Sequence, residues 1–477
     1  MDSIKIIHIS DIHRDKVNPI SNEALLASLL LDIEKYKDLG IEKPDLLLVS
    51  GDIVRGIGFN ETVDELEKQY NEAFLFLEEL SNELFNGDKS RIVIVPGNHD
   101  VNWLTSKNSM DLIDDQKVIT DKGILKKEIY QQYLEHTSNI KWSWSDRKFY
   151  RIKDMDLYNS RFLEFKNFYE KFYNFDNIEY SIDPDEQINI FDYPEYGITI
   201  VGLNSCFHND HLSRAGGMNP SCISKLSLKL REYNRKGRLI LSLWHHNTTG
   251  GPYDSDYIEN TFIQNLMAND VKACFHGHQH KQKIVKQEKN IMDEKNLLLI
   301  SAGSLCSGPH ELPNGYKPQY NIIDIKIQES NVKFNFHSRV KSSDSTFDNP
   351  IWETDNFGSN KSFSYIIEHK IKPVNYLAEA EKLYSMQDYN KAIFLLQRAD
   401  LDNPLVRKIL INCLSETQNY NLIIKYFRKP MTNEEAVHLL NAVINKNDTE
   451  LTNEIKNNDF IIRSNDESIN YLLNQLG

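Results

Sequence analysis

Apolar, β-branched runs at residues 4–10, 46–50 and 91–95 alternate with stretches of helical spacing. That alternation is what most constrains the fold, because it calls for parallel β-α-β units. The first intervening helix is expected to be capped near Ser21, to carry Leu25, Leu26, Leu29, Leu30 and Ile33 on one face, and to stop at Gly40. Residues 66–84 repeat the helical spacing. Further strand-like runs fall at 198–203, 238–243, 271–275 and 297–301, and those at 320–327 and 332–336 alternate as antiparallel strands do.

Each leading run ends in a polar cluster. The clusters are Asp11-Ile12-His13, Gly51-Asp52, Gly97-Asn98-His99-Asp100 and Gly277-His278-Gln279-His280, and His245-His246 follows another run. Open α/β sheets place their ligands at strand C-termini. Hard oxygen donors mixed with imidazoles suit manganese, iron or zinc. Asp52 is the natural bridge, because a carboxylate can span two cations and an imidazole cannot. Asn98 offers a neutral carbonyl oxygen, and His278 and His280 can each serve a different ion. Any one cluster taken alone reads as a cap or a turn, whereas all of them in order, each after an apolar run, read as a two-metal site. The chain has no Gly-x-x-x-x-Gly-Lys-Ser/Thr loop, which leaves a P-loop NTPase without support.

With these motifs the chain resembles the calcineurin-like metallophosphoesterases over about residues 1–340. The resemblance implies a four-layered α/β/β/α sandwich with two divalent metal ions, manganese first and iron or zinc as alternatives. One ion would be held by Asp11, His13, Asp52 and His280, the other by Asp52, Asn98, His245 and His278. A hydroxide between the metals would attack phosphorus, and His99 would contact the phosphate and protonate the leaving oxygen, with Asp100 orienting it. Asn98 and His246 would face substrate. The chain departs from the family in two places. The single-His motif often reads His-x-Pro and is His245-His246-Asn247 here, so His245 is favoured as ligand and His246 is left facing substrate or structure. Arg55 stands where many members carry an acid, and Val54-Arg55-Gly56 with Asp100 speaks against the protein Ser/Thr phosphatases.

Two enzyme readings remain at this point. Leu203-Asn204-Ser205, Gly216-Gly217, a Leu-rich helix and Trp244-His245-His246 follow an order similar to the class III cyclic-nucleotide phosphodiesterases. The alternative is a DNA or RNA nuclease resembling the SbcD branch. A formal net charge of −14 opposes it, because phosphate-backbone binding needs a Lys/Arg surface. Lys281, Lys283 and Lys286 are local candidates for one. A catalytically idle scaffold would be expected to have lost ligands, and every ligand is present.

At 477 residues more than one domain is expected. Residues 1–372 are expected to form the catalytic domain, with a helical, aromatic-rich insertion over about 101–196. In it Phe162, Phe165, Tyr169, Phe172 and Tyr173 recur at helical spacing, as a buried face does. Residues 341–360 read as a loop, rich in Ser, Asp and Asn, that carries an edge element or links domains. From Tyr376 onward, Ala380, Tyr389, Ala392, Leu396, Ala399 and Pro404 match one tetratricopeptide repeat. A weaker copy runs through Cys413, Tyr420, Ile423 and Pro430. Residues 373–477 are therefore expected to be an all-α repeat domain that takes a protein partner or self-associates. Five scattered cysteines without a Cys-x-x-Cys pair argue against a disulfide framework. With no signal-peptide-like start and no membrane-length apolar run, a cytoplasmic protein is expected.

Overall fold

The computed structural model describes all residues except 1–2, 16–19, 115–119, 121–124, 134–137, 175–177, 249–256, 289–295, 309–311, 329, 347, 358–359, 370–375, 447–448 and 477. The expected boundary at 372/373 falls outside the described residues. The chain divides into two compact units, Met1–Asp192 with Ile198–Lys372, and Tyr193–Gly197 with Pro373–Gly477. Among the described residues no helix is long and apolar enough to cross a membrane.

The larger unit is the mixed α/β sandwich expected. Its strands in chain order are β1 (Ile4–Ile9), β2 (Leu46–Ser50), β3 (Ile92–Val95), β4 (Met110–Leu112), β5 (Ile140–Ser143), β6 (Lys148–Ile152), β7 (Ile188–Tyr193), β8 (Ile198–Leu203), β9 (Leu239–Leu243), β10 (Val271–His276), β11 (Lys283–Glu288), β12 (Asn296–Ser301), β13 (Gln319–Ile327), β14 (Asn331–Lys341), β15 (Trp352–Asp355) and β16 (Phe363–Glu368). One sheet runs β15-β14-β13-β1-β2-β3, with β16 also on β14, and the other runs β11-β12-β10-β9-β8-β7. β1 pairs in parallel with β2 and antiparallel with β13, so the parallel core carries an antiparallel flank. All six residues of β1 and all five of β2 are buried. This explains their continuous apolar runs, since a strand covered on both faces has no solvent side to alternate toward.

Helices cover the outer faces. Ser21 caps the helix Asn22–Glu34 by accepting from the Ala24 N–H at 3.2 Å, and Gly40 ends the following 3-10 turn at a left-handed φ of 71°. A buried polar tie fastens this helix to the antiparallel flank. Arg339 Nε donates to Asp32 Oδ2 at 2.7 Å, the Tyr320 hydroxyl donates to the same oxygen, and Tyr36 donates to Tyr320 at 2.9 Å. Over the other sheet, Leu226 and Leu230 of the helix Pro220–Arg235 and Ile263 and Leu266 of Asn260–Ala268 pack on Val201, Ile240 and Leu299. Removing that much apolar surface from water is the main stabilising term, roughly 25 cal/mol per Å².

One expectation is corrected. The 101–196 segment is not purely helical, because it holds a three-stranded antiparallel sheet ordered β4-β6-β5. The physical reason is a local hairpin. β5 and β6 are β-branched and aromatic, and Arg147 takes a left-handed φ of 55° in the turn between them. Ile113, Ile129, Ile140 and Phe149 then form a small core of their own. The aromatic stripe is a helix face as expected, with Phe165, Tyr169 and Phe172 fully buried. Of the two readings of the 341–360 stretch, the edge element is the one found, since β15 adds to the edge of β14 there.

The smaller unit is helical. Helices Tyr376–Ser385 and Tyr389–Leu396 form one pair, and Pro404–Glu416 and Tyr420–Phe427 form another. The turns of both pairs are alike. Gln387 and Gln418 are left-handed at φ 63° and 51°, and the next residues, Asp388 and Asn419, share φ −83° and ψ 68°. Helices Asn433–Lys446, Thr449–Lys456, Asp459–Ile462 and Glu467–Gln475 follow. A buried bidentate pair links two of these helices, with Arg407 Nε and Nη2 each 2.8 Å from a Glu435 carboxylate oxygen.

Candidate metal centre

The polar clusters meet at the C-terminal ends of the central strands. β1 and β2 are neighbours, and their trailing loops stay paired. Asp11 N–H donates to Gly51 O at 3.1 Å, and His13 N–H donates to Asp52 O at 3.0 Å. Gly277 N–H donates to His245 O at 2.9 Å, which ties the loops of the second sheet together in the same way. The backbone there is unusual. Asp11, His13, Asp52, His278 and His280 all have positive φ, between 46° and 74°. Such residues cost energy in the left-handed region and persist where surrounding structure holds them. Two glycines make the approach possible. A Cβ on Gly97 would sit 2.1 Å from Asp52 Oδ1, and one on Gly277 would sit 1.8 Å from Ser10 Oγ.

Three overlapping groups of donors result: Asp11, His13 and His280; His13, Asp52 and His99; and Asp52, His245 and His278. Within each group the donor atoms lie within 4.8 Å of one another. Asp52 Oδ2 is 3.2 Å from His245 Nε2 and 3.8 Å from His13 Nε2, so it stands between the outer two groups. Asn98 Oδ1 lies 3.0 Å from His245 Nε2 and 2.9 Å from His278 Nδ1, which are themselves 3.2 Å apart. Asp11 Oδ1 is 3.2 Å from His280 Nε2 and accepts no hydrogen bond although it is buried. Separations near 3 Å are the donor–donor edges expected around an ion with bonds of about 2.1 Å. A buried carboxylate oxygen without a donor is likewise what a cation would satisfy.

The electrostatics agree with this fit. Burial pushes the imidazoles of His13 and His278 down to about 3, so both offer lone pairs. Burial would also lower His245, but the carboxylate of Asp52, then Asp11 and the Ser50 carbonyl, drive it up to about 9. Burial alone would raise Asp11, yet His280 and His245 hold it well below the usual carboxylate range. A pocket that draws a proton onto a buried imidazole also draws a divalent cation. His245 is aimed from behind by its Nδ1–H, which donates to Ser50 O at 2.8 Å.

His99 is half-buried beside the donors, its ring 4.8 Å from that of His13. Asp100 does not orient it. Asp100 Oδ2 accepts from Gly97 N–H at 2.7 Å and Ile53 N–H at 3.3 Å, and Tyr70 donates to its Oδ1 at 3.2 Å. Burial and the charge of Asp52 raise this carboxyl to about 7. The partner of His99 is the Arg55 carbonyl, which lies 2.5 Å from Nδ1. Arg55 itself is clamped by Asp15 and Glu61. His246 does not face substrate either. It is fully buried, with Nδ1 2.9 Å from Ser205 Oγ and Nε2 3.2 Å from Arg214 O. Ser205 was missed as a site residue. Its Oγ accepts from both His245 N–H and His246 N–H at 3.1 Å, and so holds the paired histidines. The signal for it lay in the segment Leu203-Asn204-Ser205. A backbone carbonyl such as that of Arg55 leaves no signal in residue types.

A family model described as calcineurin-like phosphoesterase matches residues 4–282. No curated protein matches the chain. The chain is similar to the solved structure of a dimetal phosphatase from Danio rerio, at 12% identity over 70% of this chain and 96% of that one, with a TM-score of 0.38. It is similar to the calcineurin-like phosphoesterase YfkN from Bacillus subtilis, at 10% identity over 83% of this chain and 99% of that one, with a TM-score of 0.28. It is also similar to Vps29 from Entamoeba histolytica, at 10% identity over 74% and 99%, with a TM-score of 0.25.

Proposed function

Because the chain belongs to the calcineurin-like phosphoesterase family, we propose that it is a two-metal phosphodiesterase acting on a nucleotide substrate. Asp11, His13, Asp52 and His280 hold one divalent cation, and Asp52, Asn98, His245 and His278 hold the other. The mixed oxygen and imidazole donors fit manganese first, with iron or zinc also compatible. Divalent cations there would polarise a phosphoryl oxygen and make water nucleophilic at neutral pH.

The protein's own groups do the rest. Asp52 sets the spacing of the two halves by facing both His13 and His245. The Arg55 carbonyl fixes one ring nitrogen of His99, which leaves Nε2 to meet the phosphate and protonate the departing oxygen. Ser205 and Ser50 hold His245 in place through its backbone and its far ring nitrogen. The observation that carries this reading is the convergence of donors from separate loops into three overlapping groups, the donor atoms of each lying within 4.8 Å of one another. Retention of all seven ligands speaks against an idle scaffold.

Residues 1–372 form the catalytic domain in this proposal. Residues 373–477 form a tetratricopeptide-like domain for a protein partner or self-association, a reading supported by the recurring turn at Gln387 and Gln418. The test supplies manganese-loaded protein with a cyclic-nucleotide mixture and single-stranded DNA, and uses Asp52→Ala as control. Nucleoside monophosphates from the cyclic pool are the expected product. Shortened DNA alone would assign a nuclease, and no product from fully loaded protein would overturn the reading.

A further inference from the structure

The segments that carry His99 and Arg55 each run on into an aromatic side chain, Trp103 and Phe59. Their rings are 6.3 Å apart and inclined at 39°, and Phe59 is 49% exposed. His211 stands edge-on to Phe59 at 6.2 Å, and Tyr150 stands edge-on to His211 at 6.4 Å. Phe59, Lys107, Tyr150 and His211 line a cavity of about 520 Å³, within the size range of small-ligand sites.

Two cations sit on these rings. Lys107 Nζ is 4.5 Å from the centre of Phe59, and the Arg214 guanidinium is 5.2 Å from that of Trp103. Both cations are exposed, and among the described residues neither is ion-paired with a carboxylate. Asp146 also lines the cavity and accepts from the Tyr150 hydroxyl at 2.8 Å, while Lys153 there is paired with Asp111 at 2.8 Å. In a chain of net charge −14, cations left without acids beside a phosphoesterase centre mark a place for an anion. Trp103 and Arg214 adjoin the cavity through Phe59 rather than line it, and both are tied to the metal centre. Trp103 follows His99 closely in the chain, and the Arg214 carbonyl holds His246, whose ring is 4.7 Å from that of His278.

An exposed aromatic face flanked by cations is suited to a base next to a phosphate. Every base has a π-face to stack, and the cations meet the charge. We infer that this cleft is a nucleobase subsite, in which Phe59 and Trp103 stack the base beside the scissile phosphodiester while Lys107 and Arg214 meet its phosphates. The inference rests on the phosphodiesterase reading for the bond that is cleaved. The base is carried either by a free nucleotide or by one unit of a single strand.

The test is equilibrium binding by fluorescence anisotropy with full-length protein in manganese. Its probes are end-labelled, cleavage-resistant phosphorothioate oligothymidylate and an abasic strand of equal length and linkage. Wild type is expected to prefer the base-bearing strand. Trp103→Ala and Phe59→Ala should each weaken that strand by about 5- to 150-fold, the range that stacking on one ring provides. Both variants should leave the abasic strand unchanged, and Trp103→Phe should restore the preference. Competition by thymidine monophosphate at similar concentrations would identify the free nucleotide as the source, and competition by oligonucleotide alone would identify the strand. Equal affinity of wild type for the two strands, or equal losses on both in the variants, would overturn the subsite. Hydrolysis of bis(4-nitrophenyl) phosphate by the same preparation reports the metal centre separately. Turnover without base preference sinks the subsite alone, and base preference without turnover sinks the phosphodiesterase reading alone.

Discussion

The metal centre and the helical unit both place ordinary residues in left-handed backbone, but for different reasons. In the helical unit Gln387 and Gln418 take positive φ at turns between paired helices, with their side chains exposed. At the centre Asp11, His13, Asp52, His278 and His280 take it while pointing into a buried polar pocket. The turn residues are there for chain reversal and could be glycine. The donor residues must keep both the strained backbone and the side chain, so the strain is held by the paired loops around them. The cores differ in the same sense. The helical unit is packed by Leu395, Leu396, Leu410 and Leu414, whereas the centre buries carboxylates and imidazoles that need each other or a cation.

The largest break in this comparison is Asp52→Ala. It should lower turnover by about a thousandfold or more, since it removes the group facing both donor halves. Metal content measured on the same sample should fall from two ions, and unchanged content would refute the bridging role. In the helical unit the matching experiment is Arg407→Ala, which strands a buried Glu435 and should cost about 3–5 kcal/mol in denaturant unfolding. Phosphoesterase activity at low temperature should survive that change.

His99→Ala should keep the metal and slow hydrolysis of poor leaving groups by about a hundredfold, with nitrophenyl esters nearly spared. A similar loss on both esters would show that His99 does not protonate the leaving oxygen. Metal removal by a chelator should lower the melting temperature of the catalytic unit alone. The linkage is about 2.7 kcal/mol when free metal is a hundred times Kd, and an unshifted melting curve would count against the donor set. The smallest expected effect is Gln418→Gly. Relief of a left-handed φ of 51° should raise stability slightly, by up to about 1 kcal/mol. The same change at His278 should instead abolish metal binding.

Much of the site was legible because its chemistry resides in side-chain types placed after strands. Asp11, His13, Asp52, Asn98, His245, His278 and His280 are all brought together. What failed to read out were the partners of these residues. His245 was favoured over His246 as ligand and is the one turned to the donors, but the contacts of His246 with Ser205 and Arg214 are set by the second sheet's loops alone. The resemblance implies that Asp100 orients His99, yet its carboxylate points back to the Gly97 and Ile53 amides. The three-stranded sheet of the insertion was hidden because β4, β5 and β6 span only three to five residues each. Runs that short carry too little periodicity to tell strand from helix.

The sequence by itself determined the alternating α/β frame, the polar residues that converge at the candidate centre and the change to helix pairs near Tyr376, because periodicity and residue type are local properties of the chain. Tertiary structure alone decided which ring nitrogen faces the centre, which carbonyl holds His99, and that Phe59 packs beside Trp103 with Arg214 over the Trp103 ring. Those outcomes depend on contacts between segments far apart in the chain, where direction and distance are set by packing and leave no trace in composition or spacing.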